Sequence, residues 1–203
     1  MTDHNPEMNQ DRVFDTFDMF EKYNQVMFHQ QRNIYTCLSH RIEGKTVLEA
    51  GCGAGLGTAI LERKAKSIVG TDKLQRNIDF ASRIYPWIDF RVWDLNHPFS
   101  SKWRAEIVVS IEAVEHVRDT QSAIGNLLKA ALEEVIISVP NGAGKPRPPE
   151  NPYHVCEYTP AEMLEIISNI CTGREEVTIH EWVSWSQVDV KTTVDPLIYR
   201  IRK

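Results

Sequence analysis

The 203 residues are 42% hydrophobic and 25% charged, a length and composition that suit one domain with a sizeable core. A formal net charge of −5 argues against a nucleic-acid binder that works through bulk charge, although a local basic patch stays open. No apolar run approaches the roughly 20 residues that span a bilayer, so no membrane segment is expected.

The polar start, "MTDHNPEMNQDR", lacks the apolar stretch of a signal peptide, and residues 1–12 read as a disordered tail. The 4 cysteines, Cys37, Cys52, Cys156 and Cys171, form no CxxC pair; free thiols in a reduced, cytoplasmic protein are the expectation. Residues 13–44 carry apolar residues at helical spacing without Gly or Pro until Gly44, and read as an N-terminal helical lid. Its helix displays His29, Gln30, Arg32 and Tyr35.

Residues 45–203 alternate strand and helix patterns. "KTVLEAG" is an apolar strand running into Gly, and "GLGTAILERKAK" is a helix. "SIVGTD" is a second strand, "KLQRNIDFASRIY" a helix stopped by Pro86, and "IDFRVWD" a third strand. "AEIVVS" is a fourth strand, "TQSAIGNLLKAAL" a helix and "EEVIISVP" a fifth strand. A loop rich in Pro and Gly, "NGAGKPRPPENPYH", follows. "TPAEMLEIISNI" is a helix with Thr159 as N-cap and Pro160 in its first turn. "EEVTIHEWVSW" and "DPLIYRIRK" read as closing strands of undetermined direction. Such alternation predicts an α/β fold with a parallel, doubly wound sheet, whose ligands bind at the carboxyl ends of the strands.

Three strand ends carry polar groups. "EAGCGAG" sets Gly51, Gly53 and Gly55 between the first strand and the first helix, where glycine permits a sharp turn and close approach of a ligand. Asp72 ends the second strand, placed to hold ribose hydroxyls, and Asp94 ends the third. The fourth strand runs into "IEAVEHV", with Glu112, Glu115 and His116 at i, i+3 and i+4. On a helical turn those three share one face and make a hard O/N ligand set, with His154 in "HVCEYT" as a further candidate. Such a set could hold a divalent metal, act as a metal-free acid and base, or be structural. Cys52 reads as packing, and Trp103, Trp182 and Trp185 as core or subunit contacts. Lys145 and Arg147, in the Pro-rich loop, read as solvated or as partners of an anionic substrate.

The series "VLEAGCGAGLG…IVGTD…VWDLN…IVVSIEAVEHV…IISVPN", residues 46–141, resembles the motifs of class I S-adenosylmethionine-dependent methyltransferases in their order. A dinucleotide-binding G-x-G-x-x-G would put its third glycine on Leu56, which makes nicotinamide binding the runner-up. The resemblance implies a Rossmann-like, seven-stranded sheet, mostly parallel with a reversed last strand. It implies that Gly51, Gly53 and Gly55 pass under the methionine and ribose of S-adenosylmethionine. Glu49 would hold the methionine ammonium directly or through water, and Arg32 the carboxylate. Asp72 would take the ribose hydroxyls, Asp94 and the Leu95 amide the adenine, and Lys73 and Ile111 would also bind the cofactor. E-x-x-E-H with H-x-x-E-Y-T is similar to two groups, the ubiquinone-biosynthesis O-methyltransferases and the small-RNA 2′-O-methyltransferases. In the second group these positions bind a divalent metal, here Glu112, Glu115, His116 and His154. The ion would be Mg²⁺, Mn²⁺, Fe²⁺ or Zn²⁺. Catalytic roles fall to His116, His154 and Glu115, on a small-molecule or sugar hydroxyl in preference to RNA. A non-catalytic cofactor-binding scaffold is the alternative of another class. Oligomeric state is not readable.

Overall fold

The computed structural model describes residues 31–99, 103–151, 153–173, 175–181 and 196–203. The tail at 1–12, the lid residues before 31, and Trp182 and Trp185 lie outside them. Seven strands form one sheet: β1 (Thr46–Ala50), β2 (Ser67–Asp72), β3 (Asp89–Val92), β4 (Ala105–Ile111), β5 (Ala131–Pro140), β6 (Glu176–Glu181) and β7 (Pro196–Arg202). The helices are α1 (31–41), α2 (Leu56–Glu62), α3 (Gln75–Ile84), α4 (Thr120–Ala130) and α5 (Pro160–Ile170). The order across the sheet is β3-β2-β1-β4-β5-β7-β6. β1 to β5 pair in parallel, and β7 is antiparallel to both β5 and β6. The direction of the closing strands, illegible in their periodicity, is thus the expected reversal of the last one.

Strand side chains alternate between two apolar layers, as the pleat requires. Val47, Ile107, Val109 and Ile136 face one cluster, with Ile34 and Leu38 of α1, Ile42 just after it and Leu61 of α2. Leu48, Val108, Val135 and Ile137 face the other, with Ile124 and Leu127 of α4 and Met163 and Ile167 of α5. Both faces are covered, which explains why these strands read as near-continuous apolar runs.

The described part of the predicted lid is half wall and half core. Ile34, Leu38 and Ile42 are buried at 1%, 6% and 0% exposure. Arg41, at its end, donates twice to the buried Glu134 of β5, at 2.9 and 3.0 Å, and Arg200 of β7 donates to the same carboxylate at 2.9 Å. Thr159 caps α5 reciprocally with Glu162, with Pro160 in the first turn, as the sequence predicts. Trp103, read as a core or subunit contact, is partly buried against the core and packs on Phe99. No helix among the described residues is long and apolar enough to cross a membrane.

Candidate active site

Strand order reverses between β1 and β4, so their carboxyl ends flank the crevice where such sheets bind ligands. The loop leaving β1 needs glycine for its backbone: Gly51, Gly53 and Gly55 have φ of 83°, 52° and 82°. A β-carbon on Gly51 would also stand 2.5 Å from Cβ of Ala113, in the turn after β4. The Gly51 and Cys52 amides both donate to the Thr71 carbonyl at 2.8 Å, which seats the loop on β2. Cys52 is buried and burial pushes its thiol well up, which suits packing and not nucleophilic attack.

Asp72 is fixed by three donors: Gly53 N at 3.0 Å, Leu74 N at 2.9 Å and Asn77 Nδ2 at 3.1 Å. Burial raises its pKa against those bonds. Asp94 accepts from Asn96 N at 2.9 Å and Asn96 Nδ2 at 2.8 Å. The next residue, Leu95, is anchored from below by Asn126 of α4, which donates to its carbonyl at 2.9 Å. One cavity is lined by Gly51, Gly53, Asp72, Lys73, Asp94, Leu95, Ile111, Glu112, His116 and Arg32. Gly55 supports the loop from beneath, against Phe90 and Ala81. Glu49 does not reach the lining: it is wholly buried, with one carboxylate oxygen accepting from Tyr35 and the other from Thr58, each at 2.5 Å. Burial raises its pKa.

At the other end of the crevice the chain departs from the helical turn that E-x-x-E-H suggests. Glu112 has φ of 50°, and the following 3-10 turn spans only Val114–His116. Glu115 and His116 therefore belong to the turn while Glu112 precedes it, so the four expected ligands do not form one group. Ligand atoms of Glu115, His116 and His154 lie within 4.8 Å of one another, and Glu112 stands outside that set. Glu112 accepts instead from the Ser138 hydroxyl of β5 at 2.6 Å. Burial pushes its carboxyl up to about 7, with the Glu157 charge adding to the effect and Lys145 opposing it.

The Pro-rich loop is pinned to this turn. Val155 N donates to the Glu115 carbonyl at 2.8 Å, and His116 Nδ1 donates to the Tyr153 carbonyl at 2.6 Å. That bond places the hydrogen on Nδ1 and the lone pair on Nε2, 3.8 Å from Glu115 Oε1. His154 Nδ1 faces Glu157 Oε1 at 2.7 Å, and its Nε2 faces Asn151 Nδ2 at 2.9 Å, so its tautomer is set the same way. The two imidazoles meet edge to face at 4.9 Å. Both loop cations are engaged within this segment: Lys145 with Glu157 at 3.5 Å, and Arg147 with Glu162, whose carboxyl is held down at about 2.

Sequence reasoning passed over several of these partners. Glu157 was legible as the acid three residues after His154; Ser138, Thr58, Asn77, Asn126 and Asn151 carry no sequence signal of their own.

Residues 48–133 match the methyltransferase-domain family. A protein of Mycolicibacterium smegmatis named as a probable S-adenosylmethionine-dependent methyltransferase is 27% identical over 146 residues, 69% of this chain and 56% of that protein. The chain carries a class I S-adenosylmethionine-dependent methyltransferase domain. The ubiquinone biosynthesis O-methyltransferase of Rhizobium rhizogenes is 33% identical over 84 residues, 39% of this chain and 34% of that enzyme. The structure of the small RNA methyltransferase HEN1 shares the fold, with a TM-score of 0.68 at 16% identity over 85% of this chain and 25% of that one. The chain spans about half the length of the first curated relatives it matches.

Proposed function

We propose that this methyltransferase moves a methyl group from S-adenosylmethionine to a hydroxyl of a small, uncharged molecule. One observation carries the reading: the cavity that begins at the glycine loop ends on Glu112 and His116, beside the group made by Glu115 and His154. A scaffold subunit would need the loop alone. Similarity to an O-methyltransferase supports hydroxyl as the acceptor. The loop cations, Lys145 and Arg147, already face carboxylates, which favours an uncharged acceptor over the phosphates of RNA.

The residues divide the work. Asp72, held by three donors, is offered to ribose hydroxyls, and Asp94 with the Leu95 amide to adenine. When bound, S-adenosylmethionine supplies a sulfonium methyl open to in-line displacement. A hydroxyl attacks such a carbon well only if its proton is taken. Glu112 lines the cavity, and a pKa of about 7 suits a group that accepts a proton near neutral pH.

The donor set of Glu115, His116 and His154 fits a divalent ion. It offers one carboxylate and two imidazoles, each with Nδ1 bonded to an acceptor so that Nε2 carries the lone pair; that of His154 accepts from Asn151 here and would exchange that bond for the ion. Two imidazoles suit Mn²⁺, Fe²⁺ or Zn²⁺ better than Mg²⁺. An ion held there would acidify a coordinated hydroxyl.

The test is metal analysis of purified protein joined to an assay of S-adenosylhomocysteine release with a panel of polyols, sugars and phenols. One equivalent of ion, lost in His154→Ala, is the expected result. Full turnover in chelator on an identified acceptor would remove the ion and leave Glu112 as proton acceptor. Methylation of RNA alone would overturn the choice of acceptor.

A further inference from the structure

His154 is held at both ring nitrogens, by partners of unlike chemistry. Asn151 Oδ1 accepts from Tyr153 N at 3.0 Å, which fixes the amide so that Nδ2 is the end facing His154 Nε2 at 2.9 Å. An amide NH₂ only donates, so Nε2 accepts and the ring hydrogen sits on Nδ1. Nδ1 then donates to Glu157 Oε1 at 2.7 Å, and a carboxylate only accepts. Donors and acceptors agree at every step from the Tyr153 N–H to the Glu157 carboxylate. Glu157 is also fixed from behind: it is 7% exposed, and Lys145 Nζ stands 3.5 Å from its other oxygen. Gly142 crosses directly over its backbone, where a β-carbon would stand 2.4 Å from the Glu157 carbonyl oxygen. Asn151 is only half-buried, so of the two partners it is the one with room to turn away.

An imidazole takes an ion through its lone pair, which in His154 is on Nε2. A carboxylate bonded to the opposite nitrogen orients the ring and makes that lone pair more basic. The amide on Nε2 does the reverse, because its bond must be given up before an ion can enter. We propose that Glu157 and Asn151 are positioning residues of opposite effect on His154: Glu157 presents Nε2 toward Glu115 and His116, and Asn151 caps Nε2 until a divalent ion displaces it. The proposal rests on the reading of Glu115, His116 and His154 as an ion site. The same turn serves the second imidazole, since the Tyr153 carbonyl accepts from His116 Nδ1. Both rings are thus aimed before an ion arrives, and the cap sets how tightly it is held.

Calorimetry with Zn²⁺ alone, on the full chain stripped of metal, can compare the two residues, with His154→Ala as the blank for other sites. Glu157→Ala should bind Zn²⁺ about 10–100-fold more weakly than wild type. Asn151→Ala should bind it about two- to tenfold more tightly, since one hydrogen bond no longer has to be given up. Loss of support alone would weaken both. The wild-type chain supplies a second measurement that needs no substitution. At a pH well above the ordinary histidine range, nitrogen NMR should find the His154 hydrogen on Nδ1. The side-chain amide resonance of Asn151 should then move as Zn²⁺ is added. Weaker binding in Asn151→Ala, unchanged binding in Glu157→Ala, an Asn151 amide that Zn²⁺ leaves unmoved, or a His154 hydrogen on Nε2 would each overturn the proposal alone. A wild-type chain that takes up no more Zn²⁺ than His154→Ala would overturn the ion reading and this pairing with it.

Discussion

The two ends of the cleft are built by different means. The cofactor end is mostly backbone: three glycines at positive φ, loop amides bonded to Thr71, and acids at the end of β2 and just past β3, held by the glycine loop and by residues a few positions on. The acceptor end is mostly side chain, and its partners are distant in sequence. Ser138 reaches Glu112 from 26 residues away, and the Tyr153 carbonyl reaches His116 from 37. Backbone sites tolerate little change at their glycines and suit a cofactor of fixed shape. Side-chain sites can be altered without disturbing the loop, which suits the part of the cleft that chooses an acceptor.

If the two ends are separable, substitutions should damage one and spare the other. The largest effect is expected at Glu112. Glu112→Gln should lower kcat about 10²–10⁴-fold, as for loss of a general base, with affinity for S-adenosylhomocysteine nearly unchanged. At the opposite end, Asp72→Ala should weaken S-adenosylhomocysteine binding by about 1–3 kcal/mol. It should also lower Tm, because the Gly53 and Leu74 amides lose their acceptor. Parallel damage to kcat and affinity in both variants would merge the two ends into one site.

The pH response sharpens the same division, because the sign differs between activity and stability. Glu112 has its pKa raised from 4.5 to about 7, so the folded chain keeps a proton there that the unfolded chain has released. Its effect on stability is therefore most favourable below about 4.5 and is lost as pH rises through about 7. Turnover should do the opposite and rise through about 7 as the base form appears. Thermal melts of chelated wild type and Glu112→Gln should diverge toward high pH, with the amide variant the more stable. A constant Tm difference from pH 4 to 8 would contradict this.

The smallest effect concerns α1. Arg41→Ala removes two bonds to Glu134 and should cost about 1 kcal/mol of stability, given that Arg41 is partly exposed. Cofactor affinity should fall little. A large loss of affinity would mean that the anchor at the far end of α1 controls the wall that carries Tyr35.

How much of this could be read from residues alone follows the same line. Gly51, Gly53, Asp72 and Asp94 were legible because strand ends and positive-φ turns restrict which residues can stand there. The reversed last strand followed only from the family resemblance, since periodicity is blind to direction. The turn after β4 was misjudged at Glu112. Spacing of i, i+3 and i+4 implies a shared face only where all three residues are helical, and Glu112 lies before the turn at φ 50°. Glu49 had a role assigned by position, but its burial beneath Tyr35 depends on how α1 packs on Gly57, a contact between residues far apart in the chain. In α1, helical periodicity reveals an apolar face without revealing what covers it, and Ile34 and Leu38 turn out to be buried.

The most direct measurement is a crystal structure of the chain with S-adenosylhomocysteine. The nucleoside should lie over the Gly51–Gly55 loop, with its ribose on Asp72 and its sulfur turned toward Glu112 and His116. A ligand bound elsewhere, or a sulfur turned away from Glu112, Glu115, His116 and His154, would contradict the division of the cleft into a cofactor end and an acceptor end.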